Sequence, residues 1–238
     1  MDLLIFDLDG TLVDSKLDLA NAVNATLKQL GRSPLANELI YSYVGDGAPM
    51  LIRRALGPDA SEDLAQQALE FFLRYYREHM LDHTRPYPGV EEALERLYVH
   101  GVKMAVLTNK PVRFSQELVQ GLGLDRYFFR VYGGNSFEQK KPDPTGVYAL
   151  LQESGTPKER ALMVGDSAVD VRTARNAGIR VCGVTYGFQP QSLVDEPPDF
   201  LVDDLRQLAD LVIQARQGGE AAILSSPPDT RRPDFSSR

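Results

Sequence analysis

Apolar runs recur along the chain, separated by stretches with helical periodicity. Leu3 to Phe6 is a continuous apolar run between Asp2 and Asp7, the pattern of a strand buried on both faces. Comparable runs follow at Val102–Leu107, Ala161–Val164, Val181–Val184 and, more weakly, Phe200–Val202. Between them, Val112–Leu122 carries Val112, Leu118, Val119 and Leu122 at helical spacing, and Thr145–Leu151 fills the next gap. Ala168–Ala177 ends at Gly178, which is suited to a helical C-terminal cap. This alternation predicts an α/β fold, a parallel sheet with helices on both faces. Ligands in such folds collect at the carboxyl ends of the strands.

From about Ser15 to Thr84 the alternation breaks down into helices alone. Ser15 and Asp18 have the spacing of a capping box, and Leu17, Ala20, Val23, Leu27 and Leu30 follow before Gly31. Gly47–Leu56 and Ser61–Met80 are further helical segments. The second carries Leu64, Ala68, Phe72, Tyr75 and Tyr76 on or near one face, a stripe whose ordinary use is packing. A helical block between the first two long strands reads as an inserted cap domain. The expected division is residues 1–14 and 85–216 as catalytic core, 15–84 as helical cap and 217–238 as an extension rich in Gly, Pro and Ser. The connections at Ser15 and Thr84–Pro88 are expected to act as hinges.

Composition narrows the partners. A net charge of −7 provides no basic field for nucleic acid or an anionic membrane, so an anionic substrate must meet locally placed positive charge. Cys182 is the only cysteine, which excludes an intramolecular disulfide framework and a Cys-rich zinc site and is compatible with a reducing cytoplasm. No apolar run approaches the ~18 residues of a membrane span, and the first residues lack the pattern of a signal peptide. A cytoplasmic protein is expected.

The chemistry-bearing residues lie at the ends of the apolar runs. Asp7 and Asp9 follow the first strand with one residue between them, which keeps both on one side, and Gly10 permits a tight turn. Two carboxylates so placed suit a nucleophile and a proton shuttle. A calcium loop has its glycine at position six rather than four and does not follow a strand. Asp166 ends another run, and Asp170 falls about one helical turn later. Hard oxygen ligands gathered from separate strands suit Mg²⁺, although this second cluster alone also reads as a helix cap beside a surface acid. Thr108 and Asn109 close the Val102–Leu107 run, where a hydroxyl and backbone amides can donate to phosphate. Lys141 precedes Pro142-Asp143-Pro144. Alone it reads as a solvated lysine, and near the aspartates as a neutraliser of phosphoryl charge.

Taken together, Asp7-x-Asp9-Gly10-Thr11 with Asp14, then Thr108-Asn109, Lys141-Pro142 and Gly165-Asp166 with Asp170 resemble the four ordered motifs of the haloacid dehalogenase superfamily of phosphatases and phosphotransferases. The resemblance covers residues 1 to about 216. Thr108-Asn109-Lys110-Pro111 and Val44-Gly45-Asp46-Gly47 look most like its phosphoglycolate phosphatase branch. It implies a Rossmann-like core with a helical cap, Asp7 as nucleophile and Asp9 as general acid and base. It further implies Mg²⁺ held by Asp7, Asp9 (through its backbone carbonyl) and Asp166, with phosphate held by Thr108, Asn109 and Lys141. Asp170 and Thr11 would support these groups, and Gly45, Asp46, Gly47 and Arg53 would contribute from the cap. The implied substrate is a small anionic phosphate ester, 2-phosphoglycolate first. A sugar phosphate (including N-acetylmuramic acid 6-phosphate), pyrophosphate, a sugar phosphomutase reaction and a catalytically silent binding role are the alternatives.

Overall fold

The computed structural model describes residues 1–218. Its strands are β1 (Leu3–Phe6), β2 (Val13–Asp14), β3 (Arg85–Pro86), β4 (Lys103–Leu107), β5 (Arg130–Tyr132), β6 (Ala161–Gly165), β7 (Arg180–Val184) and β8 (Phe200–Val202). All but β2 and β3 join one parallel sheet in the order β5-β4-β1-β6-β7-β8. The helices are α1 (Lys16–Gln29), α2 (Asn37–Tyr41), α3 (Ala48–Leu56), α4 (Glu62–His79), α5 (Val90–Val99), α6 (Val112–Gly121), α7 (Thr145–Ser154), α8 (Ala168–Ala177), α9 (Ser192–Asp195) and α10 (Leu205–Gln217). None of them is long and apolar enough to cross a membrane.

The central strand shows why the apolar runs are unbroken. Leu3 and Ile5 enter a cluster with Val147 and Leu150 of α7 and Val171 and Ala174 of α8. Leu4 and Phe6 point the other way, into a cluster with Leu94 of α5, Leu118 of α6 and Leu208 of α10. All four β1 side chains are fully buried, and each such burial contributes about 1.5–3 kcal/mol. The chain leaves β1 toward β4 on one side and β6 on the other. The strand order therefore reverses there, and a crevice opens at the carboxyl ends.

Residues 15–84 add four helices and no strand to the main sheet. The chain enters and leaves this helical insertion side by side, because β2 and β3 pair antiparallel, Val13 opposite Pro86 and Asp14 opposite Arg85. The capping box expected at Ser15 and Asp18 does not form. Ser15 donates its hydroxyl to Asp9 instead. The buried Asp18 carboxylate accepts from the Thr84 amide and hydroxyl, both at 2.8 Å, and from the His83 amide at 2.9 Å. The return connection brings unpaired donors against the first turn of α1, and a buried carboxylate is better satisfied by three of them than by one local amide.

Three further elements carry no strong signal in the sequence. β5 is three residues long, alternates charged and apolar side chains and sits at the sheet edge. α5 and α10 pack on one another across the Leu4–Phe6 face. α10 continues to Gln217, so the expected extension starts as helix, and residues 219–238 lie outside the described residues.

Candidate active site

Three strand ends and one loop converge on one site. Asp7 follows β1, Thr108 follows β4 and Asp166 follows β6, three adjacent strands, while Lys141 arrives on the loop after β5. Backbone bonds fix the depth of each strand end: the Asp7 amide donates to Val164 at 2.9 Å and the Thr108 amide to Tyr132 at 3.0 Å.

The floor of the site is a charge cluster. Lys141 is buried, not solvated, with its Nζ 2.9 Å from Asp7 Oδ1 and 2.6 Å from Asp170 Oδ1. Burial pulls the ammonium pKa down, but the two carboxylates outweigh it and hold it above the ordinary lysine range. Asp170 is not a surface acid either. It is fully buried and accepts from the Ser167 amide at 3.2 Å and hydroxyl at 2.8 Å, so it braces the start of α8 and the lysine together. Asp166 accepts from Thr11 Oγ1 at 3.3 Å and from the Phe188 amide at 2.7 Å. Space around it is so tight that a Cβ on Gly10 or Gly187 would lie 2.4 or 2.1 Å from its atoms, and Gly10 also has φ +89°.

These carboxylates are short of positive charge. Burial raises the Asp166 pKa to about 8, helped by repulsion from Asp170 and Asp7. Burial also raises Asp7 to about 6, with Lys141 opposing the shift. Ligand oxygens of Asp7, Asp166 and Asp170 lie within 4.8 Å of one another. Asp7 Oδ1 is buried and makes no well-directed hydrogen bond, although the lysine lies beside it. A divalent cation fits this donor set, because it supplies the missing charge to hard oxygen ligands.

The wall of the site is shared with the helical insertion. Lys110 Nζ donates to Asp9 Oδ2 at 2.9 Å, Asp9 Oδ1 at 3.1 Å and the hydroxyl of Tyr76 at 2.8 Å. Tyr76 lies on α4, its ring against Phe72 and Phe114, so one member of the expected packing stripe also carries a polar contact to the site. Burial lowers the Lys110 pKa, but Asp9 and Tyr76 more than offset it. Lys110 stands in the Thr108-Asn109-Lys110-Pro111 segment, yet nothing in sequence spacing distinguishes it from a solvated lysine. Its partner Tyr76 comes from another part of the fold.

The segment Val44–Gly47 lies over the crevice. Asn109 Nδ2 donates to Gly45 O at 3.1 Å and to Lys141 O at 3.1 Å, while Gln189 and Lys140 donate to the Val44 and Asp46 carbonyls. A Cβ on Gly47, whose φ is +87°, would approach Asn109 O to 3.0 Å. Gly45, Gly47, Thr108 and Asn109 all line a cavity of about 50 Å³ beside Asp7 and Asp9. Two of the sequence-derived residues are elsewhere. Arg53 is exposed, bonded to Glu62 and away from the cavity lining, because its turn of α3 faces solvent and the first turn of α4. Asp46 contributes its backbone, while its carboxylate turns outward onto Arg54.

Residues 4–184 match the family model of the haloacid dehalogenase-like hydrolases, and the chain belongs to that family. It is similar to the phosphoglycolate phosphatase of Pseudomonas fluorescens (strain Pf0-1), 45% identical over 213 residues, covering 87% of this chain and 78% of that one. The phosphoglycolate phosphatase of Vibrio parahaemolyticus is 40% identical over 219 residues, covering 88% and 95%. Among solved structures, "a predicted phosphoglycolate phosphatase" from Haemophilus somnus 129pt superposes with a TM-score of 0.84 at 34% identity, covering 89% of this chain and 98% of that one. The chain is a phosphoric monoester hydrolase, and its substrate is a small phosphate ester.

Proposed function

We propose that the chain hydrolyses 2-phosphoglycolate to glycolate and inorganic phosphate with Mg²⁺ as cofactor. The observation that carries this reading is Asp7 at the carboxyl end of the central strand, 2.9 Å from a buried lysine. Asp7 attacks phosphorus in line, the P–O bond to glycolate breaks, and an aspartyl phosphate forms. Asp9, two residues away, gives its proton to the leaving alkoxide. It then takes one from the water that cleaves the aspartyl phosphate, which restores Asp7 and frees phosphate.

Lys141 neutralises charge on the phosphoryl oxygens, and Asp170 orients the lysine. The Thr108 hydroxyl, with the backbone amides of residues 8–11 and 109, donates to those oxygens. Mg²⁺ would be held by the Asp7 and Asp166 carboxylates and the Asp9 carbonyl, with Thr11 steadying Asp166. Once bound, it supplies positive charge where the phosphoryl group develops negative charge. Residues 15–84 serve as a cap on the core of 1–14 and 85–216, hinged where β2 pairs with β3.

One observation favours 2-phosphoglycolate over larger esters. The relatives named above carry that activity in their names. The test is kcat/KM with Mg²⁺ for 2-phosphoglycolate beside pyrophosphate and a panel of sugar phosphates. Asp7→Asn serves as the control and is expected to lose at least about 10⁴-fold activity. A variant that kept wild-type turnover would end the role given to Asp7. Strong turnover of a sugar phosphate with none of 2-phosphoglycolate would overturn the substrate.

A further inference from the structure

We propose that Lys110, steadied by Tyr76, is the residue that recognises the carboxylate of the substrate. This rests on 2-phosphoglycolate being the substrate and names the residue that selects it. In 2-phosphoglycolate the carboxylate is carried on the carbon bonded to the bridging oxygen, so it lies immediately beyond the atom that Asp9 must protonate. A cation in contact with Asp9 is therefore adjacent to the place where the carboxylate arrives. Lys110 Nζ is that cation, at 2.9 and 3.1 Å from the two Asp9 oxygens.

The cavity provides no other positive charge for this purpose. Among the described residues lining it, Lys110 is the only cation, and much of the wall is apolar, including Leu19, Phe72 and Phe114. A carboxylate entering such surroundings is strongly destabilised unless it meets a charged donor. Lys141 is already held between Asp7 and Asp170 on the floor. Lys110 has a donor to spare, because two of its three contacts are to one carboxylate and either can be given up.

Tyr76 sets the lysine's position. Its hydroxyl takes one donor at 2.8 Å, and its ring centroid lies 4.5 Å from Nζ. The tyrosine comes from the helical insertion and the lysine from the end of β4. The carboxylate-binding group is therefore complete only when the two parts of the molecule are together.

The experiment compares 2-phosphoglycolate with ethyl phosphate, which replaces the carboxylate with a hydrogen-capped carbon, in the wild type and in Lys110→Met. The intrinsic difference between the two leaving groups cancels when the kcat/KM ratio of one enzyme is divided by that of the other. The wild-type preference for 2-phosphoglycolate is expected to fall about 100-fold in Lys110→Met, and about 10-fold in Tyr76→Phe, which keeps the ring but frees the lysine. Lys110→Arg should retain a preference within about 10-fold of wild type, because the charge remains.

Circular dichroism and thermal melting check that each variant is folded. If the methionine variant does not fold, the arginine and phenylalanine variants decide the matter by the same ratio. Equal losses on both substrates, leaving the ratio at the wild-type value, would overturn the role of Lys110 and leave the substrate assignment standing. A wild-type enzyme with no preference for 2-phosphoglycolate would instead remove the assignment itself.

Discussion

The protein buries two lysines at one crevice and uses them in different mechanical settings. Lys141 lies on the floor, and its partners Asp7 and Asp170 both come from the segments that follow strands of the sheet. Lys110 lies on the wall, and its partners Asp9 and Tyr76 come from two different parts of the fold. The floor is built from the strand ends of the sheet and the loop and helix that follow them, whereas the wall also needs Tyr76 of α4. On the proposed roles, the charge used in phosphoryl transfer sits on the sheet side alone, and the charge that reads the rest of the substrate sits between the sheet and the insertion.

The largest expected effect breaks the floor. Lys141→Met should remove at least about 10³-fold of kcat/KM on every phosphate ester, since the lysine would stabilise charge common to all of them. It should also destabilise the fold by about 3–5 kcal/mol, because Asp170 would be left buried without its cation. A Lys141→Met variant that lost its preference among esters but kept most of its turnover would show that the two lysines had been assigned the wrong way round.

Next in size is the connection on which the wall depends. Asp18→Ala removes the acceptor shared by the Thr84 amide, the Thr84 hydroxyl and the His83 amide. A cost of about 2–4 kcal/mol is expected in denaturant unfolding, together with a rise in KM larger than the fall in kcat. An unchanged KM would mean that the insertion docks without this clasp.

A third expectation concerns pH and metal. Asp166 and Asp7 bind protons more tightly folded than unfolded, at about 8 and about 6 against an ordinary 3.8. Between about pH 4 and 8 the native state therefore holds more protons than the unfolded chain, and the stability of metal-free protein should fall as pH rises. Mg²⁺ competes with those protons, so the gain in Tm on adding it should be larger at pH 8 than at pH 5.5. Equal gains at the two pH values would argue that the floor is not the metal site. The smallest effect belongs to Arg53→Ala, which removes an exposed pair with Glu62 and should leave kcat/KM within about threefold.

The strand-end residues of the site are legible in the sequence, and most of the wall is not. Asp7, Asp166 and Thr108 each end an apolar run, and a parallel sheet brings such ends together whatever the details of packing. Gly45 and Gly47 are legible only through the family resemblance; both have positive φ, and a Cβ on Gly47 would press on Asn109 O while one on Gly45 would meet only Gln189. Lys110 escaped notice because its meaning lies in a contact with Tyr76, 34 positions earlier, on a helix whose periodicity speaks only of packing. Arg53 misled because a basic residue in a helical pattern does not disclose which way its turn faces. Likewise, the Ser15–Asp18 spacing fits a capping box, yet tertiary partners claim both side chains. β5 was missed since three residues at a sheet edge have too little apolar content to form a pattern.

The pairing of Val13 with Pro86 and of Asp14 with Arg85 brings the two crossings of the chain to a single point. Seen from the sheet, the 70 residues 15–84 occupy the place of one surface turn between β1 and β4, which pair directly. Such a joint makes the insertion exchangeable: another helical unit with closely spaced ends could be spliced in at Asp14 and Arg85 without disturbing the floor. On the proposed roles, an exchanged insertion would leave the phosphoryl-transfer groups with the sheet but would remove Tyr76, and with it half of the pair that reads the ester.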